Sequence, residues 1–332
     1  MSIDTQTASD RMRGQLLDRA HRRILLTNFA GTEQERDLSE PANCRGFGRL
    51  RHFHRQQDSS WTPNPLPIDP AARALGLGRI HELRAQVFQN AGCNWRCWYC
   101  FVPYNLLSAN PRNADWLSIG EMVDLLIAED GHPSVIDLTG GEPSLTPEWV
   151  PWFLEEIQNR HLEHQFYLWS DDNLSTDYFW KELSKDQQEL VCKSRSYGRV
   201  ACFKGIDPES FAYNTRAEVT QFDRQFELMR RYISSGMDIY AYVTFTTPTE
   251  LDLVGRVRRF VDKLQELDPN LPLRTIPLEV RVFTPVAPRL NNLHCGALQN
   301  QWKVLDAWKA ELHQRFADDL LVRDICDVSF CR

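Results

Sequence analysis

Six short apolar or β-branched runs, at 84–89, 134–139, 164–169, 199–204, 238–245 and 278–283, are separated by stretches of helical periodicity. Strands alternating with helices settle as a parallel sheet with right-handed crossovers. Helix signals fill the gaps. Ser118-Ile119-Gly120-Glu121 is a capping box opening a helix through about Ala128, and Thr146-Pro147 gives an N-cap with proline at the first helical position. Phe222, Phe226, Met229 and Ile233 make one helical stripe, and Leu253, Val257, Phe260, Val261, Leu264 and Leu267 make another. Six such units fit an α/β fold and can curve into an open, TIM-like barrel with its chemistry at the C-terminal strand ends. A last amphipathic helix carrying Trp302, Leu305, Trp308, Leu312 and Phe316 is expected to close one end. This divides the chain into an N-terminal extension over 1–83 that wraps the barrel, a core over 84–290 and a C-terminal helical extension over 291–332.

The 332 residues are 42% hydrophobic and 25% charged, which excludes a disordered or fibrous chain. A formal net charge of −7 weighs against nucleic acid as a partner, since a binder of that kind works through a basic surface. No apolar run approaches a membrane span, and Met1-Ser2-Ile3-Asp4 lacks a basic-then-apolar leader, so a soluble, cytoplasmic protein is expected. Residues 1–83 read as irregular. A charged stretch from Arg11 to Arg23 suggests a helix, and four prolines between 63 and 70 favour extended chain.

Nine cysteines, an odd number without an export signal, do not suggest a disulfide framework. Three of them fall within eight residues, as Cys93-x3-Cys97-x2-Cys100, directly after the first expected strand. Thiolates are soft ligands for zinc or an iron–sulfur cluster, and a short loop can aim three at one centre. A structural zinc site wants a fourth nearby ligand, whereas the nearest histidines are His81 and His132. Three thiols packed as small hydrophobes, among Trp95, Trp98 and Tyr99, is the remaining reading.

Cys93, Cys97, Tyr99 and Cys100 match position by position the Cys-x3-Cys-x-aromatic-Cys signature of the radical S-adenosylmethionine (SAM) enzymes, and the chain resembles that family over roughly 84–290. The resemblance implies a partial (β/α)6 TIM-like barrel, a [4Fe–4S] cluster on the three cysteines, SAM on its open iron, and a flavodoxin or ferredoxin type electron donor. Reductive cleavage of SAM would give methionine and a 5′-deoxyadenosyl radical that abstracts hydrogen from a substrate. Thr139-Gly140-Gly141-Glu142-Pro143 resembles the family turn that holds the SAM amino group, and Tyr99 would lie against the adenine. Glycines there let a backbone approach a ligand closely. Ser170-Asp171-Asp172-Asn173 resembles the third-strand ending of glycyl-radical-enzyme activases, with Asp171 and Asn173 facing SAM. Lys204 matches the lysine that meets the SAM carboxylate, and Cys202 stands where the activases carry an acid. Phe245 falls where an apolar adenine contact is expected, and Phe283-Thr284-Pro285 lacks the histidine that activases often carry on the last strand.

The outlying cysteines Cys44, Cys295, Cys326 and Cys331 are candidates for a second cluster or for buried free thiols, while Cys192 and Cys202 suit core or pocket lining. Cys44-Arg45-Gly46-Phe47-Gly48-Arg49-Leu50-Arg51-His52-Phe53-His54-Arg55 is either a basic loop, solvated or paired with acidic residues, or a segment folded over the barrel mouth to hold an anion through Arg45 and Arg49. The expected substrate is a small anionic molecule. A protein glycine is the alternative, and a non-catalytic iron–sulfur scaffold or redox sensor is the reading from another class.

Overall fold

A computed structural model describes residues 2–56 and 60–331. In chain order its strands are β1 (Leu17–Asp18), β2 (Arg23–Thr27), β3 (Gly48–His54), β4 (Glu82–Phe88), β5 (Ala114–Ser118), β6 (Val135–Leu138), β7 (Tyr167–Asp172), β8 (Tyr197–Phe203), β9 (Ile239–Thr244) and β10 (Thr275–Leu278). Seven of them form one curled sheet in the order β10-β9-β8-β7-β6-β4-β3. Every pairing from β4 to β10 is parallel, which makes the six-stranded partial barrel, and only β3 runs antiparallel, along β4. A second, antiparallel sheet joins β1, β2 and β5. No helix among the described residues is long and apolar enough to cross a membrane.

Strands buried on both faces explain why the sequence shows continuous apolar runs rather than alternation. The two faces nevertheless divide cleanly. Val135, Tyr167, Trp169, Val200, Tyr240 and Tyr242 fill the barrel interior, while Ile136, Leu168, Ala201, Phe203, Ala241 and Val243 meet the helices outside. The bulk of Tyr167 and Trp169 explains Gly198 on β8. A Cβ there would lie 2.2 Å from the Tyr167 hydroxyl.

Several boundaries differ from the sequence expectation. The third core strand runs to Asp172 rather than stopping at 169, so Asp171 and Asp172 are strand residues. The last ends at Leu278, where the run 278–283 was expected to begin it. Gln301 causes that shift, because its amide accepts from Val280 N–H at 2.9 Å and donates to Val280 C=O at 3.0 Å, taking the groups a strand would use. The capping box at Ser118 opens Ile119–Ile127 as expected. The next helix starts only at Trp149, since the Thr146 hydroxyl is engaged by Asn90 Nδ2 at 3.1 Å instead of capping.

The described residues of the N-terminal extension are not irregular throughout. A helix spans Thr5–Leu16, capped by Asp4, and stops where β1 begins rather than continuing to Arg23. Then β3 adds an edge to the barrel sheet, and Leu66, Ile68 and Ala71 plug the barrel interior with Ile325. The terminal helix Asn292–Arg315 packs on the outer layer through Trp308, whose ring lies 5.8 Å from Phe245 and 6.2 Å from Phe260. Its first half meets the cavity rim, with the His294 ring stacked 4.4 Å from Trp98 and the Trp302 ring 4.8 Å from Trp61.

Candidate active site

A cavity of about 430 Å³ opens at the C-terminal strand ends. Cys93, Cys97, Tyr99, Cys100, Gly140, Gly141, Glu142, Asp171, Asn173 and Lys204 all line it. Four separate strand ends therefore bring together ten of the eleven residues singled out from the sequence. Phe245 is the exception and corrects the expectation: it is fully buried against the helices, because on β9 the interior positions are Tyr240, Tyr242 and Thr244.

The cysteine loop is held by its backbone. Cys93 N–H donates to Leu107 C=O at 3.1 Å, Arg96 N–H to Thr215 C=O at 3.1 Å, Trp98 N–H to Asn214 C=O at 3.2 Å and Cys100 N–H to Cys97 C=O at 3.1 Å. Asn214 also accepts from Trp98 Nε1 at 3.0 Å while its Nδ2 donates to Lys204 C=O at 2.8 Å and Thr246 C=O at 3.0 Å, tying the loop to two strand ends. Arg289 donates to Cys100 C=O at 2.7 Å and Val102 C=O at 3.3 Å and lies 3.8 Å over the Tyr104 ring, whose hydroxyl donates to Cys97 C=O at 3.0 Å.

Burial pushes all three thiols up, Cys97 to about 12, so each stays protonated unless a cationic centre compensates the thiolate. No three His, Cys, Asp or Glu side chains among the described residues converge as the ligands of a single ion do. Three thiols spread around a cavity suit an iron–sulfur cluster, whose ligands stand farther apart than those of one ion. The donor set therefore fits the cluster that the sequence resemblance implied.

The Gly140-Gly141-Glu142 turn docks on the strand that leads into this loop. Gly141 has φ +64°, and a Cβ on it would come within 2.4 Å of Asn90 C=O and 2.5 Å of Gly92 C=O. Glycine is thus required for approach to the chain's own backbone. Glu142 N–H donates to Gly92 C=O at 2.8 Å. Its buried carboxylate accepts from Ser144 N–H at 2.9 Å and Asn173 N–H at 3.2 Å, and burial beside Asp172 pushes its pKa up to about 8. Asp171 accepts from the Thr139 hydroxyl. Lys204 Nζ faces Cys202, Tyr99 and Cys97. The Tyr99 hydroxyl pairs with Thr244 Oγ1 at 3.2 Å.

The outlying cysteines do not meet. Cys44 is buried beside Glu129, Cys295 is exposed on the terminal helix, Cys326 lies at the Tyr240 hydroxyl and Cys331 is exposed at Asn270. Cys202 lines the cavity, and Cys192 is half-buried against the outer core. The basic stretch divides: Arg45 is exposed and away from the cavity, whereas Arg49 and Arg51 line it from β3. Period-2 alternation puts Arg49, Arg51 and Phe53 on one face, with Phe53 in the barrel interior. Asn214, Arg289 and the buried Asp137 are residues that the sequence reading missed, whereas Arg51 falls in the basic stretch it singled out.

The profile of the radical SAM superfamily matches residues 90–261, half of the chain. The 7-carboxy-7-deazaguanine synthase of Methanothermobacter thermautotrophicus is 26% identical over 203 residues, covering 57% of this chain and 73% of that protein. Among solved structures, Streptococcus suis SuiB bound to S-adenosylmethionine aligns with a TM-score of 0.40 at 17% identity, over 55% of this chain and 37% of SuiB. SuiB bound to the precursor peptide SuiA aligns with a TM-score of 0.40 at 16% identity, over 55% of this chain and 36% of that chain. The chain thus spans little more than a third of SuiB. With its cysteine signature inside the matched segment, the chain belongs to the radical SAM superfamily.

Proposed function

We propose that this enzyme binds a [4Fe–4S] cluster through Cys93, Cys97 and Cys100 and uses it to open SAM reductively. Once bound, the cluster would supply the one low-potential electron for cleavage of SAM to methionine and a 5′-deoxyadenosyl radical, which would take hydrogen from the substrate. A flavodoxin or ferredoxin type protein is the electron donor in this reading. The chain's own part is to hold and shield. Glu142, with the Gly140-Gly141 backbone, receives the SAM amino group, Lys204 its carboxylate, and Tyr99, Asp171 and Asn173 the nucleoside. The observation that carries the reading is the docking of two separate motifs: Glu142 N–H on Gly92 C=O locks the glycine turn to the cysteine loop, and both line one cavity. A structural thiol cluster has no use for that turn.

The substrate in this reading is a small anionic molecule. The arginines on β3 support it, as does a relative named for making a carboxylated heterocycle. The test is anaerobic reconstitution followed by SAM and dithionite. Wild type is expected to form 5′-deoxyadenosine, and Cys97→Ala to form none and to lose cluster absorbance. Absence of 5′-deoxyadenosine from a wild-type sample carrying four irons per chain would overturn the proposal in favour of a non-catalytic iron–sulfur protein.

A further inference from the structure

The arginines around the cavity are not equivalent. Arg55 is neutralised by Asp69, and Arg281 donates to Glu279 at 2.7 Å. Arg289 serves the carbonyls of the cysteine loop. Arg49 differs from all of these. It lines the cavity, is 7% exposed, and its Nε and Nη2 are buried with no hydrogen-bond partner. Its guanidinium rests 5.5 Å from the ring of Phe101, the residue after Cys100. Two buried donors without acceptors are costly, about 1–3 kcal/mol each, and native folds retain such groups where a ligand completes them.

The identity of those two donors is informative. Nε and Nη2 lie on one edge of the guanidinium, with parallel N–H bonds spaced to meet the two oxygens of a carboxylate. Arg51, two positions along β3, adds a second cation and reaches one acid, Asp137, at 3.5 Å. Burial and the neighbouring Asp171 raise Asp137 to about 8, so at neutral pH it is mainly protonated and leaves the arginine wall net positive. This wall lies outside residues 90–261, the segment matched by the superfamily.

We propose that β3 is a substrate-recognition strand, on which Arg49, supported by Arg51, seats the carboxylate of a small substrate. The assignment rests on the radical reading for its purpose, but it is tested by binding alone. Anaerobic calorimetry on the reconstituted, SAM-loaded protein would compare 7-carboxy-7-deazaguanine with uncharged 7-deazaguanine and with inorganic phosphate. The acid is expected to bind at least about tenfold more tightly than its parent ring or phosphate, and Arg49→Gln to abolish that preference. No binding of the acid, equal binding of acid and parent, tighter binding of phosphate, or a preference that survives Arg49→Gln would each overturn the assignment. If Arg49→Gln does not fold, Arg49→Lys decides, because it keeps the charge but loses the two-pronged edge. A fall of about tenfold in acid affinity is expected, and full affinity overturns the proposal. Formation of 5′-deoxyadenosine by the wild type is recorded separately and reports only on the radical reading.

Discussion

The cavity has two walls built on opposite principles. In the cysteine loop the backbone amides of Cys93, Arg96, Trp98 and Cys100 all find carbonyls, and Asn214, Tyr104 and Arg289 add side-chain ties. On β3 the backbone is equally regular, paired from Gly48 to His54, but Arg49, which lines the cavity, carries two unmet donors. The first wall is complete before anything binds; the second is incomplete without a ligand. Rigidity suits a group that must be held in one geometry through electron transfer. Unmet polarity suits a group that must come and go.

Cutting the ties of the first wall should have the largest effect. Asn214 is fully buried and its side chain makes four hydrogen bonds, to Trp98 Nε1, Lys204 C=O, Thr246 C=O and the Thr246 hydroxyl. Asn214→Ala leaves those partners unpaired in the interior and should cost about 3–4 kcal/mol in urea unfolding, with iron content falling alongside. Arg51→Met, on the second wall, should cost under about 1 kcal/mol, because that side chain is 35% exposed and its contact with Asp137 is long. Equal costs would remove the distinction between the walls.

The difference also explains what the sequence made legible. The cysteine loop is local: three cysteines in eight residues announce themselves without any knowledge of the fold. The six parallel strands were readable because buried strands leave continuous apolar runs. The arginine wall is not local. Arg49 reaches the cavity only because β3 pairs with β4 across an intervening segment of twenty-seven residues, 55–81, and nothing in the stretch from Cys44 to Arg51 reveals that pairing. Arg45, four residues earlier, looked equally promising and is exposed on a turn with φ +57°. Phe245 was misplaced for a related reason. The position was carried over from the family resemblance, whereas the interior face of β9 is set by parity, which gives the cavity to Thr244. A one-residue slip in a strand exchanges inside for outside.

Arg289 offers a smaller and more selective cut. It bonds two carbonyls of the cysteine loop and covers Tyr104, but it lies on a short turn, Ala287–Arg289, away from the central sheet. Arg289→Met should therefore lower global stability by only about 1–2 kcal/mol. Its signature is expected in the loop: fewer irons retained per chain after gel filtration, and partial recovery in Arg289→Lys, which keeps one donor. Full iron retention in Arg289→Met would mean that the remaining backbone ties suffice to hold this wall.

A further effect concerns the second wall and separates it from the first by pH. Asp137 is fully buried, and burial together with Asp171 raises it from 3.8 to about 8. The folded protein therefore keeps this proton across a range in which the unfolded chain has released it. Stability from this source is fully present below about pH 4, declines as pH rises, and is lost once the pH passes about 8. Without SAM or substrate, the urea midpoint should fall between pH 6 and pH 8. Asp137→Asn, which cannot ionise, should remove about 1 kcal/mol per pH unit of that slope. Glu142, raised to about 8 by burial beside Asp172, contributes a slope of the same sign that Asp137→Asn leaves in place. An unchanged pH profile in Asp137→Asn would show that Asp137 is already ionised at neutral pH. The charge of Arg51 would then be cancelled, and Arg49 would have to attract an anion without its neighbour's help.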